Sequence, residues 1–171
     1  YGGTTSALGF KAEGTNFTGS LLIGHSTTGT ISSAENNTGV GISALDALTT
    51  GDSNVAIGNL AGSALTEGNQ NVLIGKDAGL ALTTGGQNTA VGFEALKTED
   101  TGYTATAIGF RALKVQDGGN TYNTAVGHEA GAAVTTGVRN TLVGSLAGDA
   151  ITTSSYNVAV GYEALSSEDT G

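Results

Sequence analysis

The stretch Asn88-Thr89-Ala90-Val91-Gly92 is one copy of a five-residue unit that recurs along the chain and decides its fold. The last residue of this unit, which we call the marker glycine, returns every 17 residues, with one interval of 18 between Gly109 and Gly127. A unit this short cannot bury its own apolar side chains, so the period predicts a solenoid of stacked coils. The marker glycines are Gly24, Gly41, Gly58, Gly75, Gly92, Gly109, Gly127, Gly144 and Gly161.

The residues before each marker glycine form a short strand with two different faces. We number each coil so that the marker glycine is position 5; position 4 is then always β-branched and position 3 is mostly alanine. Alternate residues of a strand point to opposite sides, so positions 2 and 4 share a face. The sequence predicts that this branched face fills the coil interior and that the alanine face lets another backbone approach. The predicted core residues are Ile23, Val40, Ile57, Ile74, Val91, Ile108, Val126, Val143 and Val160.

Most coils carry one aliphatic side chain at either position 9 or position 12. Coils with glycine at position 9, such as Gly79, carry an aliphatic residue at position 12, such as Leu82. Coils with leucine at position 9, such as Leu96, carry a polar residue at position 12, such as Glu99. This trade is typical of a close-packed interior, in which a missing or extra side chain costs roughly 1–3 kcal/mol. The coil marked by Gly41 breaks the rule, with leucine at both positions.

Two further positions indicate how each coil turns. Position 15 is a second glycine in most coils, which predicts two tight corners per coil. Position 1 is usually asparagine, which predicts a hydrogen-bonded ladder along the axis. We therefore predict an all-β parallel β-roll or β-helix of about ten coils, each with two short strands. We predict that residues 1–171 form one domain, with a shortened or irregular first coil at 1–19 and regular coils over 20–171. The predicted ladder comprises Asn37, Asn54, Asn71, Asn88, Asn123, Asn140 and Asn157.

The composition narrows the possible partners. The chain carries a net charge of −9, and its six lysines and arginines are scattered in sequence, which argues against nucleic-acid binding. It has no cysteine, so neither a disulfide nor a thiolate metal site is expected. The chain contains no run of about 18 apolar residues, so the sequence predicts no membrane span. A chain without methionine at its start indicates a processed product or a segment of a longer protein.

The thinness of the coils favours association. Each coil offers only a few aliphatic side chains, which is little apolar surface for a rod to bury alone. Packing three rods through their alanine faces would bury more. The sequence therefore predicts a side-by-side homotrimer.

The full repeat resembles a known class of fibre repeats. The pattern Asn-Thr-Ala-Val-Gly, then Ala, then Leu or Gly, then Thr-Thr-Gly, is similar to the 17-residue repeats of phage tail-fibre and fibre-like proteins. It also resembles the shorter repeats in the heads of trimeric autotransporter adhesins. The resemblance covers residues 20–171 and implies a trimeric, left-handed parallel β-roll on a virion or cell surface. The departures are Ala105 in place of asparagine, one extra residue before Asn123, and Ser154 in place of glycine.

A small set of aromatic residues supplies the candidate contact sites. Some occupy position 6, directly after the marker glycine, and the others lie in the corner before the next position 1. Stacked aromatics on a polar surface can bind sugar rings, or they can cover a subunit seam and grip neighbouring coils, and the packing interpretation is favoured. The candidates for glycan or partner contact are Phe93, Phe110, Tyr162, Tyr103, Tyr122 and Tyr156.

Other patterns give weaker support for chemistry. The acid pairs Glu99-Asp100 and Glu168-Asp169 replace Leu-Thr at a corner, where solvated carboxylates are expected rather than a glycosidase cleft. His25 and His128 lie several coils apart and cannot share a metal. Repeated Thr-Thr pairs suggest an ice-binding face, but acidic residues interrupt that row. We predict no catalytic residue, no metal and no cofactor.

These observations favour a non-enzymatic structural role. The leading hypothesis is a fibre or adhesin segment of a phage tail fibre or bacterial surface appendage, serving as a rigid spacer and in host attachment at a virion or cell surface. The alternative is a self-assembling extracellular filament subunit whose rods stack end to end. A glycan- or ice-binding solenoid is the third hypothesis.

Overall fold

The computed structural model describes residues 10–14, 17–24 and 33–167. Within these ranges the chain forms one 10-stranded sheet whose strands follow chain order, and it contains no helix. The strands are β1 Phe10–Gly14, β2 Phe17–Ile23, β3 Thr38–Val40, β4 Val55–Ile57, β5 Val72–Ile74, β6 Thr89–Val91, β7 Thr106–Ile108, β8 Thr124–Val126, β9 Thr141–Val143 and β10 Val158–Val160.

From β2 to β10 the strands are parallel and in register. Ala56 of β4 lies opposite Leu73 of β5, and Ala107 of β7 lies opposite Ala125 of β8, so equal positions stack even where the interval is 18 residues. The result is a parallel β-solenoid of about 8 turns at roughly 17-residue spacing. The solenoid fold predicted from the period is confirmed. At about 4.8 Å per step, the stack of turns is roughly 40 Å long.

Each described coil contains one strand rather than the two that the sequence predicted. The rest of the coil consists of turns, and their backbone amides still bond to the next coil: Leu45 N–H donates to the Ala61 carbonyl at 3.1 Å, and Thr49 N–H to the Thr66 carbonyl at 3.0 Å. Stacking therefore continues around the coil without regular strand geometry.

The N-terminal part of the described sheet departs from the parallel order. Strand β1 pairs with β2 in the antiparallel sense, with Phe10 opposite Ile23 and Gly14 opposite Phe17. A link from Gly14 to Phe17 is too short to pass around a 17-residue coil, so the chain reverses instead of winding. Residues 1–9, 15 and 16 lie outside the described residues.

The two faces of the sheet are reversed relative to the predicted core. Ala56, Ala90 and Ala107 at position 3 are fully buried, whereas Ile57 and Ile108 at position 4 are 39% and 38% exposed. Hence the branched row, predicted to point inward, lies on the outer face, where all nine residues are half-buried or exposed: Ile23, Val40, Ile57, Ile74, Val91, Ile108, Val126, Val143 and Val160.

Position 3 shares the interior with leucines of its own coil and of the preceding coil. Leucines from the opposite wall already fill the space in front of position 3: a Cβ placed on Gly39 would lie 3.6 Å from Leu45 Cδ1. The same Cβ would lie 2.5 Å from Leu22 Cδ2 of the preceding coil. The prediction placed the uniformly β-branched row inside, whereas the interior holds the row that varies among alanine, leucine and glycine.

A side chain at position 3 can also fill the space that a glycine leaves at position 9. Leu73 Cδ1 would lie 2.6 Å from a Cβ on Gly62, and Leu73 Cδ2 would lie 2.7 Å from one on Gly79, so one leucine fills the space above two glycines. The coil marked by Gly41 holds Leu45 and Leu48 together because its position 3 is glycine. Positions 3, 9 and 12 thus fill an interior volume that neighbouring coils share.

The marker glycine is required both by its backbone conformation and by close stacking. Gly58 has a φ of 137°, and a Cβ on it would lie 2.5 Å from the carbonyl oxygen of Gly75 in the next coil. Glycine at position 15 has a different cause: Gly85 has no positive φ, but a Cβ there would collide with the carbonyl oxygen of Gly102.

The asparagine ladder predicted at position 1 is present. Asn71 Oδ1 accepts from the backbone N–H of Asn88 at 3.0 Å, while its Nδ2 donates to Asn54 Oδ1 at 3.0 Å and to the Gly85 carbonyl at 3.0 Å. These asparagines are buried and tie each strand to the corner of its own coil and to both neighbouring coils. Asn157, in the last described coil, is half-buried.

Candidate functional site

A stack of aromatic rings runs along position 6. The Phe93 and Phe110 ring centroids are 5.4 Å apart with planes at 11°, and Phe110 and His128 follow at 5.1 Å and 7°. Lys76 Nζ lies 5.3 Å from the Phe93 centroid, and Arg111 Cζ lies 4.8 Å from the Phe110 centroid. The His128 ring continues the stack, and its side chain remains exposed.

Beside this stack, three cations surround one carboxylate. Glu94 Oε1 is 2.7 Å from Lys97 Nζ, and Glu94 Oε2 is 2.9 Å from Arg111 Nε and 3.2 Å from Lys114 Nζ. Hydrogen bonds from Lys97, Arg111 and Lys114 lower the pKa of Glu94 from 4.5 to about 2, against the opposing effect of burial. Sequence reasoning described these cations as scattered. Their spacing was the missed signal, since residues 94 and 111, and 97 and 114, are each one period apart.

A second stack lies at the corner that precedes position 1. Arg139 Cζ is 5.5 Å from the Tyr122 ring centroid and 5.4 Å from the Tyr156 ring centroid. Arg139 Nη1 also donates to Tyr156 Oη at 2.6 Å. The Tyr122 and Tyr156 side chains remain 50% and 68% exposed. The tyrosines were predicted as contact residues, whereas Arg139, one period from each, was missed.

The six predicted contact aromatics thus do not form one surface. Phe93 and Phe110 belong to the position 6 stack, and Tyr122 and Tyr156 flank Arg139. Tyr103 belongs to neither, because its hydroxyl donates to the Thr84 carbonyl at 3.0 Å and its ring covers the backbone of Gly86. Tyr162 lies on the last described coil and is 72% exposed.

The interior of the coils marked by Gly92 and Gly109 contains a buried polar chain. Gln116 Nε2 donates to Glu99 Oε2 at 2.9 Å, and Asn123 Nδ2 donates to Gln116 Oε1 at 2.8 Å. Gln116 therefore supplies the acceptor that the ladder loses at Ala105. The missing asparagine at Ala105 and the polar Gln116 at position 12 of the same coil therefore compensate for each other.

Glu99 contradicts the prediction of solvated acid pairs. Its side chain is fully buried, because position 12 points inward, and Oε1 has no hydrogen-bond partner. Burial raises the pKa of Glu99 above 4.5, the hydrogen bond from Gln116 opposes this, and nearby Asp117 adds to it. Asp100 and Asp117 are exposed as predicted, and Asp100 Oδ1 accepts a short hydrogen bond from Thr83 Oγ1. Glu168 and Asp169 lie outside the described residues.

The threonine row is used within the solenoid. Thr49 Oγ1 donates to the Thr66 carbonyl at 3.0 Å, and Thr66 Oγ1 donates to the Thr83 carbonyl at 3.2 Å, each in the next coil. His25 lies outside the described residues, and within the described ranges no group of three His, Cys, Asp or Glu side chains could hold a metal ion. None of the described residues forms a helix able to span a membrane.

Comparisons with known proteins leave the chain without an identified relative. No family model, no curated protein and no solved structure matches it. The geometry of the solenoid therefore carries the functional argument.

Proposed function

We propose that this chain is a non-enzymatic structural segment of a fibre or adhesin, from a phage tail fibre or a bacterial surface appendage, that serves as a rigid spacer at a virion or cell surface. The observation that carries the proposal is the apolar outer face of the parallel sheet. Rows of valine and isoleucine at position 4 lie there, with Ile57 and Ile108 more than a third exposed.

Parallel sheets are normally covered on both faces, because an exposed apolar face is costly in water. In this chain only the inner face is covered by its own turns. A second and third copy, placed around a common axis, would cover the outer face and close the assembly. The seam of the proposed homotrimer is thus the branched face and not the alanine face. The resemblance to repeats of trimeric adhesin heads supports the number three.

The trimer is tested by the mass of the chain in solution. Light scattering behind a sizing column should give about three times the chain mass of 16.7 kDa. Ile57→Lys should reduce the mass to that of the monomer, since a lysine is tolerated on an exposed face but not within an apolar seam. Thr136→Lys, at an exposed corner away from the sheet, is the matched control and should leave the mass unchanged. A monomeric wild-type chain would contradict the proposal.

The alternative function, a filament subunit, requires strand edges that stack end to end. Among the described strands, β10 pairs only with β9 and leaves one edge open. At the other end of the described sheet, antiparallel β1 interrupts the parallel ladder, so a head-to-tail stack would not continue the same pairing. This asymmetry favours the spacer. Negative-stain images should show short rods of uniform length, whereas indefinitely long fibres would favour the filament.

A further inference from the structure

Arg139 differs from the other cations in its electrostatic surroundings. Residues 33–167 contain five lysines and arginines, and four of them lie within 4.0 Å of a carboxylate. No such ion pair within that range involves Arg139, although the chain carries a net charge of −9. An exposed guanidinium without a carboxylate partner, in so acidic a chain, is available to an external anion.

The flanking tyrosines hold this guanidinium in place. Its Cζ lies 5.5 and 5.4 Å from the Tyr122 and Tyr156 ring centroids, within the range of cation–π attraction. Nη1 is further fixed by its 2.6 Å hydrogen bond to Tyr156 Oη. The stack is built on three successive coils, because residues 122, 139 and 156 are each one period apart. Less side-chain entropy is therefore lost when a ligand binds than for a free arginine.

The outer edge of the Arg139 guanidinium is free to bind a ligand. Arginine has five N–H donors in a planar fork that matches a carboxylate, and within residues 33–167 the guanidinium of Arg139 makes one hydrogen bond. On either side, half-exposed tyrosine rings offer apolar faces and a second hydroxyl, that of Tyr122. A charged fork between two aromatic rings fits a ligand with a carboxylate on a ring that has both apolar and hydroxyl-bearing sides.

We propose that Tyr122, Arg139 and Tyr156 form a binding site for an acidic sugar, the carboxylate of a uronic or sialic acid residue binding to Arg139 and its ring lying against the tyrosines. This inference rests on the attachment role that accompanies the proposed fibre function, and it names the class of surface ligand. A neutral sugar would leave the guanidinium unpaired, so the site discriminates by charge.

The full chain is tested first on a glycan array that carries sialylated and uronic-acid oligosaccharides beside their asialo and methyl-ester counterparts, together with sulfated and phosphorylated oligosaccharides. We expect binding to the acidic members and not to the neutral ones. An array on which only sulfated or phosphorylated glycans bind, or on which acidic and neutral members bind equally, overturns the assignment. So does an array without any binding.

Titration of the best acidic oligosaccharide then tests the residues, with tyrosine fluorescence as readout because the chain lacks tryptophan. Arg139→Gln should weaken binding by roughly tenfold or more, and Arg139→Lys by less, since lysine keeps the charge but loses the fork. Lys76→Gln, which removes an exposed cation already paired with Asp77, should leave the affinity unchanged. Equal affinity of Arg139→Gln and wild type would overturn the site.

Light scattering of the same variants separates this inference from the proposed function. Arg139→Gln should keep the wild-type mass, and a fall in mass would make Arg139 a subunit contact and overturn the sugar site. Loss of sugar binding with an intact trimer contradicts only the site. A monomeric chain that binds acidic sugars and not neutral ones contradicts only the trimer.

Discussion

Two neighbouring pairs of coils follow the same backbone path but fill its interior with different side chains. In the aliphatic pair, marked by Gly58 and Gly75, the interior consists of leucine side chains, with Leu73 lying across two glycines. In the polar pair, marked by Gly92 and Gly109, Glu99 and Gln116 are fully buried at position 12. The strands of both pairs nevertheless stack in the same register.

The difference shows that backbone stacking and interior packing are specified by different positions. Marker glycines and asparagines hold the coils together, while positions 3, 9 and 12 need only fill a common volume. The polar pair also carries Phe93, Phe110 and the cations around Glu94 on its surface. Specialised surfaces are not confined to the polar pair, since Arg139 and Tyr156 lie on coils with aliphatic interiors. Three predictions test whether backbone stacking and interior packing are specified separately.

The largest effect is expected from converting the aliphatic pair to the layout of the polar pair. Leu73→Ala should lower the free energy of unfolding by about 2–5 kcal/mol, because it empties the space above two glycines. Adding Gly79→Leu reproduces the arrangement of Ala90 and Leu96 and should recover about 1–2 kcal/mol. Urea unfolding followed by circular dichroism measures both variants.

The matched control for this exchange is Leu80→Ala, in the same coil but only half-buried. It should cost about 1 kcal/mol or less. If Gly79→Leu instead adds to the loss caused by Leu73→Ala, positions 3 and 9 do not share a common volume and the comparison fails.

The sequence predicts more of the backbone than of the side-chain orientation. A 17-residue period with glycine and asparagine at fixed positions is sufficient for the parallel register and the ladder. It is not sufficient to decide which face of Val55–Ile57 points inward, because alternation gives two faces without naming the inner one. Which face is buried depends on packing against positions 9 and 12 of the same and neighbouring coils, which alternation along one strand does not show.

The candidate sites are predictable only when residues are compared one period apart. Tyr122, Arg139 and Tyr156 become neighbours through register, as do Glu94 and Arg111. Composition and local motifs do not show such contacts. The burial of Glu99 was missed for a further reason, since a carboxylate at a corner is usually solvated.

The second prediction concerns the interior of the polar pair. Because burial raises the pKa of Glu99 above 4.5, the folded chain takes up this proton at a higher pH than the unfolded chain. The stabilising contribution is thus fully present below pH 4.5 and is lost as the pH rises through the raised pKa. Glu99→Gln should remove this pH dependence and raise the free energy of unfolding by about 1–2 kcal/mol at pH 8.

Urea unfolding at pH 5 and pH 8 measures this effect, with Asp117→Asn as the control. Asp117 is exposed, so its substitution should preserve most of the loss of stability between the two pH values. An unchanged pH dependence in Glu99→Gln would show that the carboxylate is hydrated in solution, and the contrast between the two interiors would disappear.

The smallest effect is expected on the surface of the same coils, at Glu94, and its pH dependence has the opposite sign. Cations lower the pKa of Glu94 from 4.5 to about 2, so its contribution is present above pH 4.5 and is lost as the pH falls towards 2. Since Lys97, Arg111 and Lys114 are partly exposed, Glu94→Gln should cost roughly 1 kcal/mol or less at pH 7 and less still at high salt.

Urea unfolding of Glu94→Gln and wild type at pH 3 and pH 7, in low and high salt, measures this loss of stability. A variant as stable as wild type in low salt at pH 7 would mean that the cations around Glu94 do not stabilise the fold. Paired with Glu99→Gln, this variant should weaken the chain where the other strengthens it, because three cations compensate the charge of Glu94 and Glu99 has no such partner.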